Sequence, residues 1–380
     1  MKLGILTFHR SLNHGAVLQA YALKQYLSRA GYDIEIIDYW PDYHRRMYSL
    51  FKWRNFVRRG FFGKLRYLIS FVLSFWRNRV RMRRFEHFLI TELGVIQKNP
   101  YRYPDQIPNE YDIVIYGSDQ IWRKYTSDDF QGYDSVYFGA FPKGIGIIKI
   151  AYAASMGVIN NSKEDRSFIQ SYAKEFSRIF VREVDLLSFL KESQVPADLV
   201  LDPVFLLNSK SWSPVLDNSM TESEPYLLFY EVLESEVAKQ VVSELSRKLD
   251  LKVITIRRGV HAREFNRSQT ASPGQFLSLL KNSQFIVTTS FHGTAFSLIF
   301  QKQFFAVGLG EHSSRVGSLL DGLGLGSRYF DSLMDFDVRL SEKINYSEVN
   351  EKLSKQIERS QRLLLNEVLQ YNSSLNFKRP

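Results

Sequence analysis

From Phe285 to Phe300 the chain reads Phe-Ile-Val-Thr-Thr-Ser-Phe-His-Gly-Thr-Ala-Phe-Ser-Leu-Ile-Phe. A β-branched apolar run is followed by a tight polar turn from Ser290 to Gly293 and then by an apolar stretch that predicts a helix from near Thr294. This strand, turn and helix is how the carboxyl edge of a parallel sheet builds ligand sites, so the chain is expected to fold as α/β. Free N–H groups at the new helix's start, with its dipole, favour an anion, and His292 stands beside them as a titratable donor. Phosphate or carboxylate is the expected ligand class. The competing reading is that His292 caps the helix and Gly293 only lets the backbone turn.

The same alternation runs through the rest of the chain. Residues 2–7 predict a strand, and Asn13-His14-Gly15 turns into a helix reaching about Ala30, which Gly31 ends. A second strand, Ile34–Asp38, completes a unit that forms parallel sheets with right-handed crossovers. Further strands are expected at Tyr111–Tyr116, Ile148–Ser155, Ser177–Glu183 and Asp198–Pro203, with polar turns at Gly117–Trp122 and after Val181. Asn208–Pro225, rich in Ser, Asn, Pro and acids, reads as a linker. The pattern then restarts with strands at Tyr226–Tyr230, Lys252–Ile256 and Phe304–Val307, the last leaving by an exit loop from Gly308 to Arg315. The expected domains are therefore 1–207, with a helical insertion at about 41–89, and 226–345, followed by a C-terminal helix and tail over 346–380. No Gly-x-Gly-x-x-Gly follows the first strand, which weakens a dinucleotide reading.

At 380 residues, 44% hydrophobic and 24% charged, the chain is too long for one ordinary core and too apolar for disorder. It has no cysteine, so disulfide scaffolds and thiolate metal sites are excluded, and a reducing cytoplasm is consistent with this. The first residues enter a strand without a signal-like leader, and no apolar run approaches the roughly 20 residues of a membrane span. No export and no membrane crossing are expected. The histidines show no paired ligand spacing with acids, so no metal site is expected.

Charge is concentrated. Between Asp42 and Glu86 lie 13 Lys and Arg and no acid, against a net charge of +10, so the rest of the chain is net −3. Aromatic residues, among them Trp53, Phe61, Phe62, Tyr67 and Phe75, interleave with these cations at helical spacing. Two or three amphipathic helices are expected there. Three readings of their basic face stand open: solvation of a packed insertion, a site for an anionic membrane surface, or nucleic-acid binding.

Together these stretches resemble the polysaccharide pyruvyl transferases. The likeness is carried by Asn13-His14-Gly15-Ala16 with Gln19–Leu23, Gly117-Ser118-Asp119-Gln120-Ile121-Trp122, Val181-Arg182-Glu183, Leu201-Asp202-Pro203, Ser290-Phe291-His292-Gly293 and Ser314-Arg315, in order along nearly the whole chain. The resemblance implies two Rossmann-like domains facing a central cleft, as in glycosyltransferases of the B type. It also implies transfer of a pyruvyl group from phosphoenolpyruvate to two sugar hydroxyls as a cyclic ketal, with no other cofactor. Carried over by position, Arg182 is the expected donor-binding arginine and His292 the general acid or phosphate ligand. Some members carry an arginine two places before that histidine; here the residue is Ser290, and Arg257, Arg258 or Arg315 is expected to replace it.

Around these, Asn13, His14, Ser290, Gly293 and Thr294 are candidate substrate contacts, although Asn13 and His14 also read as turn formers. Asp119 reads as a base or acceptor-hydroxyl ligand, or as a cap of its turn; Arg182 alternatively pairs at the surface with Glu183 or Asp185. The expected partners are phosphoenolpyruvate, a sugar or lipid-linked oligosaccharide, and an anionic membrane surface rather than nucleic acid, with the protein cytoplasmic and at the inner face of the membrane. Two other functions compete. One is a glycosyltransferase using a nucleotide sugar, with Glu311 or Asp321 near the ribose; the other is a non-catalytic scaffold docked through residues 44–84.

Overall fold

In the computed structural model the described residues are 1–96, 99–144, 146–159, 162–260, 267–308, 314–332 and 343–376. Two parallel sheets organise them. The first contains β1 (Lys2–Leu6), β2 (Asp33–Ile36), β3 (Ile113–Tyr116), β6 (Ile148–Ala154), β7 (Arg178–Val181) and β8 (Asp198–Leu199), in the order β2-β1-β3-β6-β7-β8. The short strands β4 (Tyr125–Ser127) and β5 (Phe130–Gly132) form a separate antiparallel ribbon. The second sheet holds β9 (Tyr226–Glu231), β10 (Lys252–Arg257), β11 (Phe285–Thr288), β12 (Gln303–Val307) and β13 (Tyr329–Phe330), in the order β10-β9-β11-β12-β13. All pairs in both sheets are parallel, with Ile5 opposite Ile36 and Ile115, and Tyr230 opposite Thr288. The central strands β3, β9 and β11 are buried along their whole length, which is why they read as continuous apolar runs.

Helices supply the crossovers. In the first half these are α1 (His14–Arg29), the insertion helices α2 (Asp42–Met47), α3 (Trp53–Val57) and α4 (Phe61–Thr91), then α5 (Lys163–Ala173) and α6 (Val184–Glu192). The second half has α7 (Glu236–Leu249), α8 (Pro273–Asn282), α9 (Phe291–Ile299), α10 (Ser314–Leu323) and α11 (Tyr346–Asn376). The insertion is thus two short helices and one long one. The segment read as a linker carries two 3-10 turns, Ser209–Val215 and Asn218–Met220, and buries Trp212 completely.

One apolar core runs through both halves, from Leu3 and Ile5 by way of Val17, Phe85, Trp212 and Phe276 to Leu364 and Val368. Helix α11 crosses back to the first half, where Ser360 accepts from the Leu201 amide at 3.0 Å and Gln361 donates to Leu206 O at 3.1 Å. Arg81, on the inner part of α4, is a second tie. Its Nη1 donates to Gln269 O at 2.7 Å and Arg257 O at 3.3 Å, and its Nη2 to Leu12 O at 3.2 Å, so one buried guanidinium satisfies carbonyls of both halves.

Candidate active site between the two sheets

In each sheet the strand order reverses once, between β1 and β3 and between β9 and β11. Connections leave such a point towards opposite faces and open a crevice at the carboxyl ends of the strands. Here the two crevices face each other across a cavity of about 330 Å³. The first sheet contributes Phe8, Ser11 and Asn13 after β1, Asp119, Gln120 and Arg123 after β3, and Arg182 after β7. The second contributes Val232 and Leu233 after β9, Arg258 after β10, Thr289–His292 after β11, and Arg315 at the start of α10. His44, Met47 and Tyr48 close the side nearest the insertion.

The loop after β1 is held by buried polar contacts. His9 bridges Thr7 O at 3.0 Å and Asp38 at 2.9 Å, while Arg10 donates twice to Asp38, at 2.5 and 2.6 Å. Burial would raise the Asp38 pKa, but these bonds outweigh it and hold the carboxyl below the usual range. Gln19 then ties the loops after β1 and β3 together: its amide nitrogen donates to Thr7 Oγ1 at 2.9 Å and its oxygen accepts from the Ser118 amide at 3.2 Å.

Arg182 is the hub of the first half. Its side chain is only 2% exposed; Nη1 donates to Asp202 and, at 3.2 Å, to Ser118 Oγ, and Nη2 lies 3.5 Å from Asp119. The surface pairing with Asp185 does not occur: Asp185 is exposed on α6, and Glu183 is 3.9 Å from Arg182 Nε. Burial alone would lower the arginine's pKa, yet Asp202, Asp119 and Glu183 together raise it. Asp202, fully buried, is opposed by the same desolvation, and Arg182 and His292 bring its pKa well below the carboxylate range.

The second half brings its helix terminus to this hub. Ser290 is the N-cap of α9, its Oγ accepting from the Gly293 amide at 3.4 Å, so the helix begins at Phe291 rather than near Thr294. His292 consequently lies in the first turn. Its Nε2 is buried with no hydrogen-bond partner among the described residues, 3.7 Å from Asp202 Oδ2. The cap claims the Gly293 amide and the first helical bond claims that of Thr294, so the Phe291 and His292 amides are the turn's open donors among the described residues. Phe291 lies under Arg182, ring centroid to guanidinium 5.1 Å.

Arg315 completes the arginine set. Its Nε is 3.5 Å from Glu183, and the Gln120 amide, turned with its oxygen towards Arg315, accepts from Nη1 and Nη2 at 3.1 and 3.0 Å. Burial lowers the Arg315 pKa. Glu183 also accepts from Ser155 Oγ; its burial outweighs the neighbouring arginines and pushes its pKa up. Arg123 and Arg258 line the cavity with no carboxylate partner among the described residues, Arg123 lying 5.0 Å from the Tyr125 ring centroid.

Several candidate residues stand elsewhere. His14 is not at the cavity: it is buried between the halves, Nε2 3.0 Å from Ala271 O and stacked on Phe276 at 4.6 Å, and burial pushes its pKa well down. Gly293 and Thr294 lie behind the wall. A β-carbon on Gly293 would stand 2.2 Å from Thr288 Oγ1, so glycine is there for close packing, and Thr294 Oγ1 donates to Ser290 O at 3.2 Å. Arg257 points to Glu231, at 2.5 Å, and does not line the cavity. Asn13 does line it, but its Oδ1 caps α1 by accepting from the Gly15 amide at 3.0 Å. Of the ribose candidates, Glu311 is outside the described residues and Asp321 is exposed, away from the cavity. Sequence reasoning missed His44, Arg123 and the buried Asp202. Arg123 follows directly on the Gly117–Trp122 turn, and Asp202 ends a predicted strand; each position was a signal.

The family model of polysaccharide pyruvyl transferases matches residues 13–311. The chain belongs to that family. The match spans both crevices, including Asp119, Arg182, Asp202 and His292, and stops short of Arg315. No curated protein matches the sequence. Among solved structures, the chain is similar to the UDP-N-acetylglucosamine 2-epimerase of Rickettsia bellii, with 12% identity, 99% of this chain and 97% of that chain covered, and a TM-score of 0.49. It is also similar to the UDP-GlcNAc 2-epimerase of Methanocaldococcus jannaschii (11%, 98% and 100%, 0.46) and to a glycosyltransferase of Streptomyces nogalater (11%, 96% and 99%, 0.42). Among the described residues no helix is long and apolar enough to cross a membrane, and no three His, Asp or Glu stand together as a metal site.

Proposed function

We propose that this member of the family transfers a pyruvyl group from phosphoenolpyruvate to two hydroxyls of a sugar, in a surface polysaccharide or its lipid-linked precursor, as a cyclic ketal. One observation carries the reading: Arg123, Arg182, Arg258, Arg315 and His292 converge on one cavity whose only lining carboxylate among the described residues is Asp119. A donor bearing both phosphate and carboxylate needs such a set, because charge-assisted bonds from planar guanidinium groups hold each anion. The open amides at the start of α9 add a further anion site.

The chemistry assigns roles. A proton from His292 reaches the methylene carbon of the donor, which becomes a methyl group, and the neighbouring carbon turns electrophilic. The first sugar hydroxyl adds there and gives its proton to Asp119, the carbon–oxygen bond to phosphate breaks, and the second hydroxyl closes the ring. Of the two hydroxyl protons, one replaces that lost by His292 and the other leaves with phosphate. Asp202, behind His292 and Arg182, orients both. No other cofactor is needed, and the expected place is the cytoplasm.

Calorimetry with phosphoenolpyruvate, followed by acceptor-dependent phosphate release, tests this. Donor binding that Arg315→Ala weakens, with phosphate released only when a sugar is present, is the expected result. Absence of donor binding together with release of nucleotide from a nucleotide sugar would overturn it in favour of a glycosyltransferase.

A further inference from the structure

The cavity leaves the most unusual surface of the molecule unused. Helix α4 is 31 residues long, and only its inner part is needed by the core: Ser74, Arg81, Phe85, Phe88 and Leu89 are buried. Its outer part carries a second apolar face turned to solvent. Phe61, Phe62, Leu65, Ile69, Val72 and Trp76 recur at three- and four-residue spacing, with Phe61 78%, Phe62 83%, Val72 66% and Trp76 74% exposed. From Phe61 to Trp76 the stripe extends over about 24 Å at 1.5 Å per residue. Packing does not explain it. Phe51, Phe56, Tyr67 and Phe71 knit α3 onto the other side of the helix, and Trp53, packed on Phe51 and Phe56, stays 65% exposed.

Charge decides what covers such a face. Residues 43–85 contain no acid, and Arg66, Arg79 and Arg83 are exposed on α4 with no carboxylate partner among the described residues. Asp128 and Asp129, in the turn of the β4–β5 ribbon, already pair with Arg58 at 2.6 Å and with Arg46 and Arg54 at 3.1 and 2.8 Å. A two-fold contact through the stripe would set arginine against arginine. Nucleic acid would use the cations but leave the aromatic stripe wet. An apolar stripe with interfacial tryptophans and a cationic border matches an anionic bilayer, with the helix lying in the plane of the headgroups, since no described helix can span.

We infer that the outer face of α3 and α4 is a docking site for an anionic phospholipid surface, and that it sets the mouth of the cavity at that surface. The second part follows from connectivity. Met47 and Tyr48 at the end of α2 line the cavity, and Arg81 further along α4 binds the carbonyls of Leu12 and Arg257, immediate neighbours of cavity residues Asn13 and Arg258. The inference does not depend on which reaction the cavity performs.

The test reads binding and not turnover. The full chain is mixed with vesicles of phosphatidylcholine alone and of equal parts phosphatidylcholine and phosphatidylglycerol, and followed by sedimentation and tryptophan emission. Binding to the mixed vesicles alone, a blue shift from Trp53 and Trp76, and loss of binding in high salt are expected. Phe62→Ser with Trp76→Ser should lower partition roughly tenfold or more with unchanged thermal melting, and Arg66→Gln or Arg79→Gln roughly fivefold each. No binding to the mixed vesicles, or equal binding to neutral ones, would overturn the inference. So would a monomer–dimer equilibrium abolished by the same serine substitutions, which would make the stripe a contact between copies.

Discussion

The His292 ring occupies the space that the missing side chain of Gly15 leaves: a β-carbon built on Gly15 would stand 2.1 Å from His292 Nδ1 and 2.8 Å from its Cβ. The two residues lie in the first turns of α1 and α9, so the helices that follow the first strand of one sheet and the switch-point strand of the other meet directly at the cavity. Gly15→Ala cannot be absorbed by a rotamer change alone, because the His292 Cβ is in the way. The ring must move relative to Asp202. Displacement of a reacting group by about 1 Å can cost 10²-fold in rate, while overpacking of this kind costs about 1–3 kcal/mol. Steady-state turnover should therefore fall by about two orders of magnitude while a cooperative melt persists; turnover at the wild-type rate would remove His292 from the chemistry.

Arg315 separates donor binding from folding better than Arg182 does. Removing Arg182 leaves Asp202 fully buried without its cation, a loss of about 3–5 kcal/mol that confuses any binding measurement. Arg315→Ala instead leaves Glu183, whose raised pKa lets it take up a proton. The loss of one charge-assisted bond, about 1.5–3 kcal/mol, predicts a Kd for phosphoenolpyruvate about 10- to 150-fold higher, with the melting temperature within a few degrees of wild type. An unchanged Kd in calorimetry would exclude Arg315 from the donor site.

Two buried histidines give stability a defined acid limb. Burial, with Arg123 close by, lowers the His44 pKa to about 4, and burial with Arg81 close by takes that of His14 well below its usual value. Unfolded histidine binds a proton near pH 6.5 and these folded ones do not, so the unfolded state is favoured as pH falls. The contribution is fully present above about pH 6.5 and is lost progressively, for His44 down to about pH 4. Each pKa unit is worth about 1.4 kcal/mol, so the unfolding free energy should drop by a few kcal/mol from pH 7 to pH 4.5. His14→Gln, which can still donate to Ala271 O, should be less stable at pH 7 but flatter with pH. Denaturant titrations of wild type and variant at both pH values measure this, and parallel curves would contradict it.

The alternation of strands and helices was legible because parallel strands buried on both faces are written as apolar runs, and β3, β9 and β11 are buried throughout. Local chemistry was legible too, as at Gly31 after α1. What escaped were relations set by tertiary distance. Asp202 lies twenty residues beyond Arg182, and nothing local announces that they pair; the same holds for His14, whose role comes from Phe276 and Ala271 in the other half. The sequence puts the start of α9 near Thr294, because Gly293 reads as part of a turn. Ser290 in fact supplies the cap, and the glycine is needed for contact with Thr288 and Tyr230. Arg257 and Arg258 could not be told apart from sequence, since β10 carries on through Arg257 and only then turns.

Asp119 offers the sharpest separation of binding from chemistry. Among the described residues it is the single carboxylate on the cavity wall, partly exposed, with one oxygen 3.5 Å from Arg182, and its backbone is left-handed at φ 70°. That conformation is costly for most residues and tolerated by Asp and Asn, so Asp119→Asn keeps the backbone where Asp119→Ala would also disturb the loop. Asparagine can still hydrogen-bond a sugar hydroxyl but cannot take its proton. If Asp119 is the base, kcat should fall about 10²- to 10⁴-fold while the Kd for phosphoenolpyruvate stays within a few-fold of wild type or tightens, because one negative charge near the donor has gone. If Asp119 only caps its turn, the asparagine variant should turn over at the wild-type rate and Asp119→Ala should lose stability and activity together. Measuring both variants by stopped-flow phosphate release with the acceptor sugar present, and by calorimetry, distinguishes the two roles.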